Sequence, residues 1–430
     1  MAIKAKKLYV CSECGGEHIS WSGKCAYCGR WNTLKELNIS PEKGPSVQKA
    51  QVKKLASVEI RKGERMPTGI SEADLVFGGG IVEGSVLLLG GHPGIGKSTL
   101  VWQISAAVKG KVLYIAGEES PEQIKLRSQR LKTTGDNIFV IDNSDINSWL
   151  DNLKSDEYKL LIIDSIQTIF DSSIASSAGS IMQLKQCTLR IIKKAKEIGL
   201  STIIIGHVTK EGEVAGPKTL EHLVDGVFYL EGEKYSSERF LRSQKNRFGP
   251  TEELGVFELT EKGLVAKADF GRLKTDQEVP VGVARTAVAE GSRIYMVEVQ
   301  SLVQKTSYGL PRRNAVGFDF NRLQMIIAVM GKHTKIDLSG HDVFLNISEG
   351  YKLKEPSADM AVVISLASSY FGKSASGNEI FVGETDLAGR VHLQGQVKKI
   401  VKTCQKLGFK IPNPTTTDLE QFIKKSLKVS

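Results

Sequence analysis

Apolar residues along this chain fall into two alternating patterns. Short runs rich in β-branched residues recur at 86–89, 112–115, 160–163, 202–205 and 227–230. Each run is continuous rather than alternating, the form of a strand buried on both faces. Between them lie helical periodicities. Leu100, Val101, Ile104, Ala107 and Val108 make one apolar face, and Ile181, Leu184, Thr188, Ile191 and Ala195 make another, with lysine and glutamine on the opposite side. Such strands alternating with amphipathic helices predict an α/β domain on a parallel sheet covered by helices on both faces. No internal repeat or long heptad pattern interrupts the chain.

Two changes of texture divide it. Residues 38–54 are lysine-rich, hold two prolines and lack aromatics, a linker composition. A polar stretch at 271–280, GRLKTDQEVP, precedes a new set of strands and helices. The expected division is a four-cysteine unit at 1–37, a basic linker at 38–57, the α/β domain at 58–272 and a mixed α+β domain at 273–430.

Composition narrows the class. With 430 residues, 41% hydrophobic and 25% charged, the chain is neither disordered nor collagenous nor a disulfide scaffold. Its longest uncharged apolar stretch, 360–372, is too short for a bilayer and contains three serines. The opening MAIKAKKLYV lacks the apolar core of a signal peptide, so a cytoplasmic protein with no membrane partner is expected. Charge is uneven: residues 1–65 carry 13 lysines and arginines against 6 glutamates, a net +7 out of the total +10. A basic arm on a near-neutral body fits a polyanionic partner such as nucleic acid, or equally a solvated linker.

Cys11-Ser-Glu-Cys14 and Cys25-Ala-Tyr-Cys28 form two C-x2-C pairs ten residues apart. Each pair can aim both thiolates at one ion, and two pairs complete a tetrahedral sulfur shell, so Zn²⁺ in a closed structural site is expected. Two disulfides fit a cytoplasmic chain poorly, and a redox motif needs only one pair. Trp21, Tyr27 and Trp31 lie within the unit; they are read as its miniature core, with stacking on bases as the alternative. Cys187 and Cys404 are isolated, and Cys187 falls on the apolar side of a helix as ordinary packing.

Gly91-His92-Pro93-Gly94-Ile95-Gly96-Lys97-Ser98, followed by Thr99, matches the P-loop pattern directly after one strand and before a helix. Backbone amides there wrap phosphates at a helix N-terminus. Lys97 is expected at the β- and γ-phosphates of ATP and Ser98 on Mg²⁺. The apolar run 160–163 ends in Asp164, the form of a Walker B segment in which the acid holds magnesium through water; a helix cap is the bland alternative. Glu118 and Glu119 follow a strand and Gly117, where a carboxylate can orient and deprotonate attacking water, or merely favour a helix start.

The four-cysteine unit, GGHPGIGKST, YIAGEES, LLIIDSIQTIF, GHVTKEG and the pentapeptide Lys245-Asn246-Arg247-Phe248-Gly249 together resemble the RadA (Sms) family of bacterial DNA repair proteins, over nearly the whole chain. The resemblance implies an α/β RecA-like P-loop core with an N-terminal zinc ribbon and a C-terminal α+β Lon-protease-like domain. It implies a DNA-dependent ATPase in recombinational repair: a homo-oligomeric, hexamer-type ring moving on single-stranded DNA, promoting branch migration of branched recombination intermediates and working with a RecA-type recombinase. Residue by residue it makes Glu118 the catalytic glutamate and His207 the sensor of the γ-phosphate. It makes Lys245 and Arg247 a basic pair reaching a neighbouring subunit's ATP; without it, that stretch passes as a solvated basic loop. Residues 171–180 and 209–219, read as mobile loops, sit where RecA-like proteins bind single-stranded DNA, with Lys210 and Lys218 as phosphate contacts; Arg390, in the last domain, is a separate candidate DNA contact.

In the last domain, Glu355-Pro356-Ser357-Ala358-Asp359 resembles the Lon segment carrying the nucleophilic serine, and Gly383-Glu384 with Gly389-Arg390-Val391 its downstream strand. The position matching the activating lysine is Ile400, so no peptidase activity is expected. Ser357 is then read as a helix N-cap or packing residue, and Lys398 and Lys399 as surface charge. Two rival functions remain open on sequence: an ATP-dependent protease, and a scaffold that uses ATP only to switch assembly state.

Overall fold

The computed structural model describes residues 7–11, 16–38, 54, 65–207, 220–232, 236–267, 269–275, 278–307, 309–393, 396–412 and 418–429. They group into two compact units, one spanning Met1–Glu231 and Arg239–Ala266, the other Gly232–Glu238 and Lys267–Ser430.

The first unit opens with a small antiparallel sheet of β1 (Lys7–Cys11), β2 (Glu17–His18) and β3 (Leu34–Asn38), ordered β2-β1-β3. Its buried cluster is Cys11, Cys25 and Leu34, too little apolar surface to hold a fold by itself. The three aromatics expected in this core are on the surface instead: Trp21, Tyr27 and Trp31 are 59%, 72% and 69% exposed. With the cysteines filling the interior, no volume remains for large rings.

The rest of the unit contains α1 (Ser71–Phe77), β4 (Val86–Gly90), α2 (Lys97–Ala107), β5 (Val112–Ala116), α3 (Pro121–Arg130), β6 (Ile138–Ile141), β7 (Leu160–Asp164), α4 (Ile181–Ile198) and β8 (Ser201–Ile205), then β9 (Gly226–Glu231), β10 (Glu238–Asn246), β11 (Leu254–Thr260) and β12 (Gly263–Ala266). Sheet order is β12-β11-β10-β9-β4-β8-β7-β5-β6. The block from β9 to β6 is parallel, as the continuous apolar runs require. Alternate residues supply its two faces. Leu87, Leu89, Tyr114, Ile162 and Ile205 pack with α1, α2 and α3, whereas Leu88, Ile115, Ile163 and Ile204 pack with α4. The antiparallel extension through β10, β11 and β12, and the edge strand β6, were absent from the sequence expectation. Strand β10 mixes buried Phe240 and Leu241 with Arg239, Arg242, Gln244 and Lys245, a pattern weaker than a continuous apolar run.

The second unit carries β13 (Val283–Glu290), β14 (Arg293–Lys305), β15 (Arg313–Val316), α5 (Phe320–His333), β16 (His341–Ile347), α6 (Asp359–Phe371), a short hairpin of β17 (Glu384–Thr385) and β18 (Val391–His392), α7 (Val397–Lys406) and α8 (Leu419–Leu427). Its main sheet is ordered β13-β14-β16-β15, with only β15 and β16 parallel. Helix α6 is the apolar stretch noted in the sequence; buried from Asp359 to Ser368, it is the centre of this unit and packs on β13 and β14. No helix among the described residues is long and apolar enough to cross a membrane.

Candidate nucleotide and metal sites

Four chain segments meet at the C-terminal ends of the parallel strands, where ligands bind in open α/β sheets. The loop after β4 leads into α2, Glu118 follows β5, Asp164 ends β7 and His207 follows β8. Because β8 lies between β4 and β7, His207 falls between the loop and the acids.

Gly96 is the N-cap of α2 with φ 113°, a left-handed conformation that a side chain would resist. At Gly91 an added Cβ would stand 2.5 Å from the Leu230 carbonyl oxygen. Gly94 by contrast faces open space, with nothing within 4 Å of such a Cβ, leaving room over the loop amides for a phosphate chain. His92 and Pro93 are exposed on that rim, Ile95 is buried, and Ser98 and Thr99 are half-buried in the first turn of α2. Arg239, buried on β10, donates from Nε to the Ile95 carbonyl at 3.1 Å and ties the loop to the sheet.

Lys97 is buried, and its ammonium donates to the carbonyls of Gly91 (2.8 Å) and His92 (2.9 Å) and to His207 Nδ1 (3.1 Å). An ammonium only donates, so Nδ1 accepts and the ring proton sits on Nε2. Nε2 then donates to Glu118 Oε1 at 2.9 Å, which also accepts the Ser165 hydroxyl. Lys97, His207 and Glu118 therefore form one hydrogen-bonded chain. Burial brings the Lys97 ammonium down to about 8, against the pull of Asp164 and Glu118. Gly117 keeps the turn before Glu118 tight: its amide donates to the Asp164 carbonyl at 2.7 Å, and a Cβ there would strike Thr168 Oγ1.

Asp164 is buried and accepts the hydroxyl of Tyr114. Burial and the adjacent Asp164 push that phenol well above its ordinary value, so it stays a donor at any working pH. Glu119 points elsewhere, into an ion pair with Arg127. The chain's own residues thus fit an ATP phosphate chain with Mg²⁺: Lys97 and the loop amides at the phosphates, Ser98 and Asp164 toward the metal. Tyr114, Ser165 and Arg239 were missed by sequence reasoning, because each looks like ordinary strand or loop composition.

Lys245 to Gly249 lie at the other end of the sheet. Lys245 pairs in register with Val227 and Asn246 with Gly226, while Gly226 pairs with Leu87 near the start of β4. The Lys245 ammonium donates to the carbonyls of Glu221 (3.0 Å) and Val224 (2.8 Å), closing a helical turn instead of standing free in solvent. Asn246 donates to the Phe77 carbonyl at 3.4 Å, and Gly249 sits tightly against Gly78. Arg247, 56% exposed, reaches buried Asp225 at 3.3 Å.

Residues 171–180 are not loosely held, contrary to the mobile-loop expectation. Gln183 bonds the Asp171 amide and the carbonyls of Asp171, Ile174 and Ser176, and Asp171 binds Asn147, Ser173 and Arg190. Lys210 and Lys218 lie outside the described residues, as does Cys14. Arg390 is exposed and paired with Asp386 at 2.8 Å.

In the ribbon, the sulfurs of Cys11, Cys25 and Cys28 lie within 4.8 Å of one another, and Cys11 and Cys28 are 3.7 Å apart. Thiolates about 2.3 Å from a tetrahedral zinc stand roughly 3.8 Å apart, so the described sulfurs fit that ion.

In the second unit Ser357 and Ile400 line one cleft of about 220 Å³ together with Glu355, Glu384 and Gln396. Ser357 is not a helix N-cap: the cap of α6 is Ala358, and Ser357 contributes its carbonyl, which accepts the Gly383 amide at 2.6 Å. Lys399 donates to the Gly291 carbonyl, a surface contact.

Comparison with known proteins agrees with this geometry. A family profile described as an AAA domain matches residues 54–213, and one described as a rubredoxin metal binding domain matches 9–36. The chain is 41% identical over 422 residues to the DNA repair protein RadA of Bacillus subtilis, covering 95% of this chain and 92% of that one. It is 41% identical over 439 residues to that of Campylobacter jejuni, covering 99% and 98%. Among solved structures, the KaiC-like protein PH0186 of Pyrococcus horikoshii aligns over 48% of the chain at 21% identity and a TM-score of 0.40. The first unit holds a zinc ribbon followed by an α/β P-loop ATPase core. The chain belongs to the RadA family of DNA repair proteins.

Nucleotide affinity should follow the Lys97 charge. Below about pH 8 the ammonium is already present; above it, binding phosphate must first restore the proton, so affinity should fall by up to about tenfold per pH unit. Titration of a fluorescent ADP analogue across that range checks this, with Lys97→Arg, which stays charged, expected to flatten the profile. A wild-type affinity that stays level through pH 9 would contradict it.

Proposed function

We propose that this protein is a DNA-dependent ATPase that assembles into a ring, moves on single-stranded DNA and promotes branch migration of recombination intermediates beside a RecA-type recombinase in the cytoplasm. Its parts are the zinc ribbon at 1–37, the basic linker at 38–57, the ATPase domain at 58–272 and a Lon-protease-like platform at 273–430. Lys97 and the loop amides bind and orient the phosphates. Glu118 takes the proton of the attacking water, and His207 holds that carboxylate until phosphate draws Lys97 away. Bound Mg²⁺ supplies charge neutralisation on the transferring phosphoryl group.

The observation that carries the ring is the separation of the two cationic groups. Lys97 lies beyond Gly90, whereas Arg247 lies level with the start of β4, roughly 10 Å of strand away before the loop is counted. Arg247 is thus out of reach of the phosphates bound by its own chain. It is exposed and suited to stabilise charge on a neighbour's ATP, with Lys245 holding the turn that presents it. DNA contacts through residues 209–219 and Arg390 would be to backbone and indifferent to sequence.

Mixing two inactive variants tests assembly. Lys97→Ala and Arg247→Ala should each lose ATP turnover, and their mixture should recover part of it, since some interfaces then combine an intact loop with an intact arginine. Absence of recovery at every ratio would count against a shared site.

The cleft beside Ser357 supports a platform rather than a peptidase. Ile400 offers no base, so the serine keeps an ordinary hydroxyl. Incubation with a fluorophosphonate probe and with casein plus ATP should give neither labelling nor cleavage; ATP-stimulated cleavage lost in Ser357→Ala would establish the protease reading instead.

A further inference from the structure

We infer that Tyr114 is a positioning residue for the Walker B carboxylate, holding Asp164 in the orientation that receives magnesium. The inference rests on the nucleotide-site reading above. Tyr114 and Ala116 project to the same side of β5, and Ala116 pairs in register with Asp164 on β7, so the phenol and the carboxylate share the face covered by α2. The hydroxyl donates to Oδ2, leaving Oδ1 for the metal's water shell.

The tyrosine is itself locked. It is 1% exposed, and the Trp102 ring, from the helix that follows the P-loop, stands edge-on to it at 6.0 Å between centroids. Trp102 is fixed in turn by its indole N–H donating to Thr133 Oγ1 at 2.7 Å. Phosphate-binding helix, tyrosine and metal-binding acid are thereby joined in one packed series. Arg127 closes the far side. It is 9% exposed and pairs with Glu119 through Nη2, with its charge also felt by Tyr114 and Asp164. That guanidinium adds positive charge beside Tyr114 and Asp164 without competing for the carboxylate oxygens.

Loss of the hydroxyl in Tyr114→Phe keeps the ring and its packing while freeing the carboxylate to rotate. The measurement is the magnesium concentration that half-saturates the Mg²⁺-dependent gain in binding of a fluorescent ADP analogue. It should rise about tenfold in Tyr114→Phe, the usual scale for a lost hydrogen bond to a charged group. Affinity for the analogue in EDTA should stay at the wild-type value, while the melting temperature falls by a few degrees because the buried carboxylate loses a donor. A half-saturating magnesium concentration within twofold of wild type would overturn the inference, as would a rise matched by an equal loss of affinity in EDTA. Failure of the wild-type protein to bind the analogue at all would instead remove the nucleotide-site reading.

Discussion

A buried ammonium organises the nucleotide-binding half of this protein. Lys97 lies in a pocket that disfavours its charge, and three acceptors offset that cost: two carbonyls of its own loop and the imidazole of His207. All three donor positions are used, and two of these bonds hold the loop over the lysine. His207, by accepting from Lys97, must give its proton to Glu118. One requirement, satisfaction of a buried cation, thus fixes the loop, the imidazole tautomer and the place of the candidate catalytic carboxylate.

Much of this was legible in the sequence, for reasons that differ by residue. The P-loop spacing is demanding enough to stand alone, and the five apolar runs could be little else than buried parallel strands. The cysteine pairs stood out because two knuckles of equal spacing have few other uses, and the sulfurs of Cys11, Cys25 and Cys28 do converge. Where reasoning failed, partners lay far away in the chain. Tyr114 is one letter in the apolar run VLYIA, and only its register against β7 puts it on the same face as Asp164, within reach of the carboxylate. The exposure of Trp21, Tyr27 and Trp31 depends on how little interior a ribbon centred on sulfur atoms leaves. Lys245 looked like a free cation, yet its partners are carbonyls some twenty residues upstream, and no local pattern announces them. Residues 171–180 read as loose because small polar residues often are, but Gln183 from the next helix binds them from within.

The two ends of the sheet divide the chemistry. The candidate nucleotide-binding groups converge where the parallel strands end, whereas the Lys245 to Gly249 segment is anchored where they begin, by bonds to Phe77 and Asp225. Such a separation would serve the proposed ring, in which Arg247 acts on a neighbour's nucleotide. The C-terminal unit follows a different logic. Its central helix buries Asp359 entirely, neutralised by Arg322, which also contacts Glu384. The Asp359 carboxylate also accepts the Thr385 amide at 3.1 Å, so the buried charge is both paired and hydrogen-bonded.

The central claim is that ATP turnover at Lys97 is converted into movement of a DNA junction. The most direct measurement follows strand exchange on a three-strand intermediate built with a RecA-type recombinase and then stripped of it. On this account the wild-type protein extends the heteroduplex only with hydrolysable ATP, and Lys97→Ala leaves the junction where it was. Junction movement that proceeds equally well with Lys97→Ala, or ATP hydrolysis stimulated by single-stranded DNA with no movement at all, would contradict it.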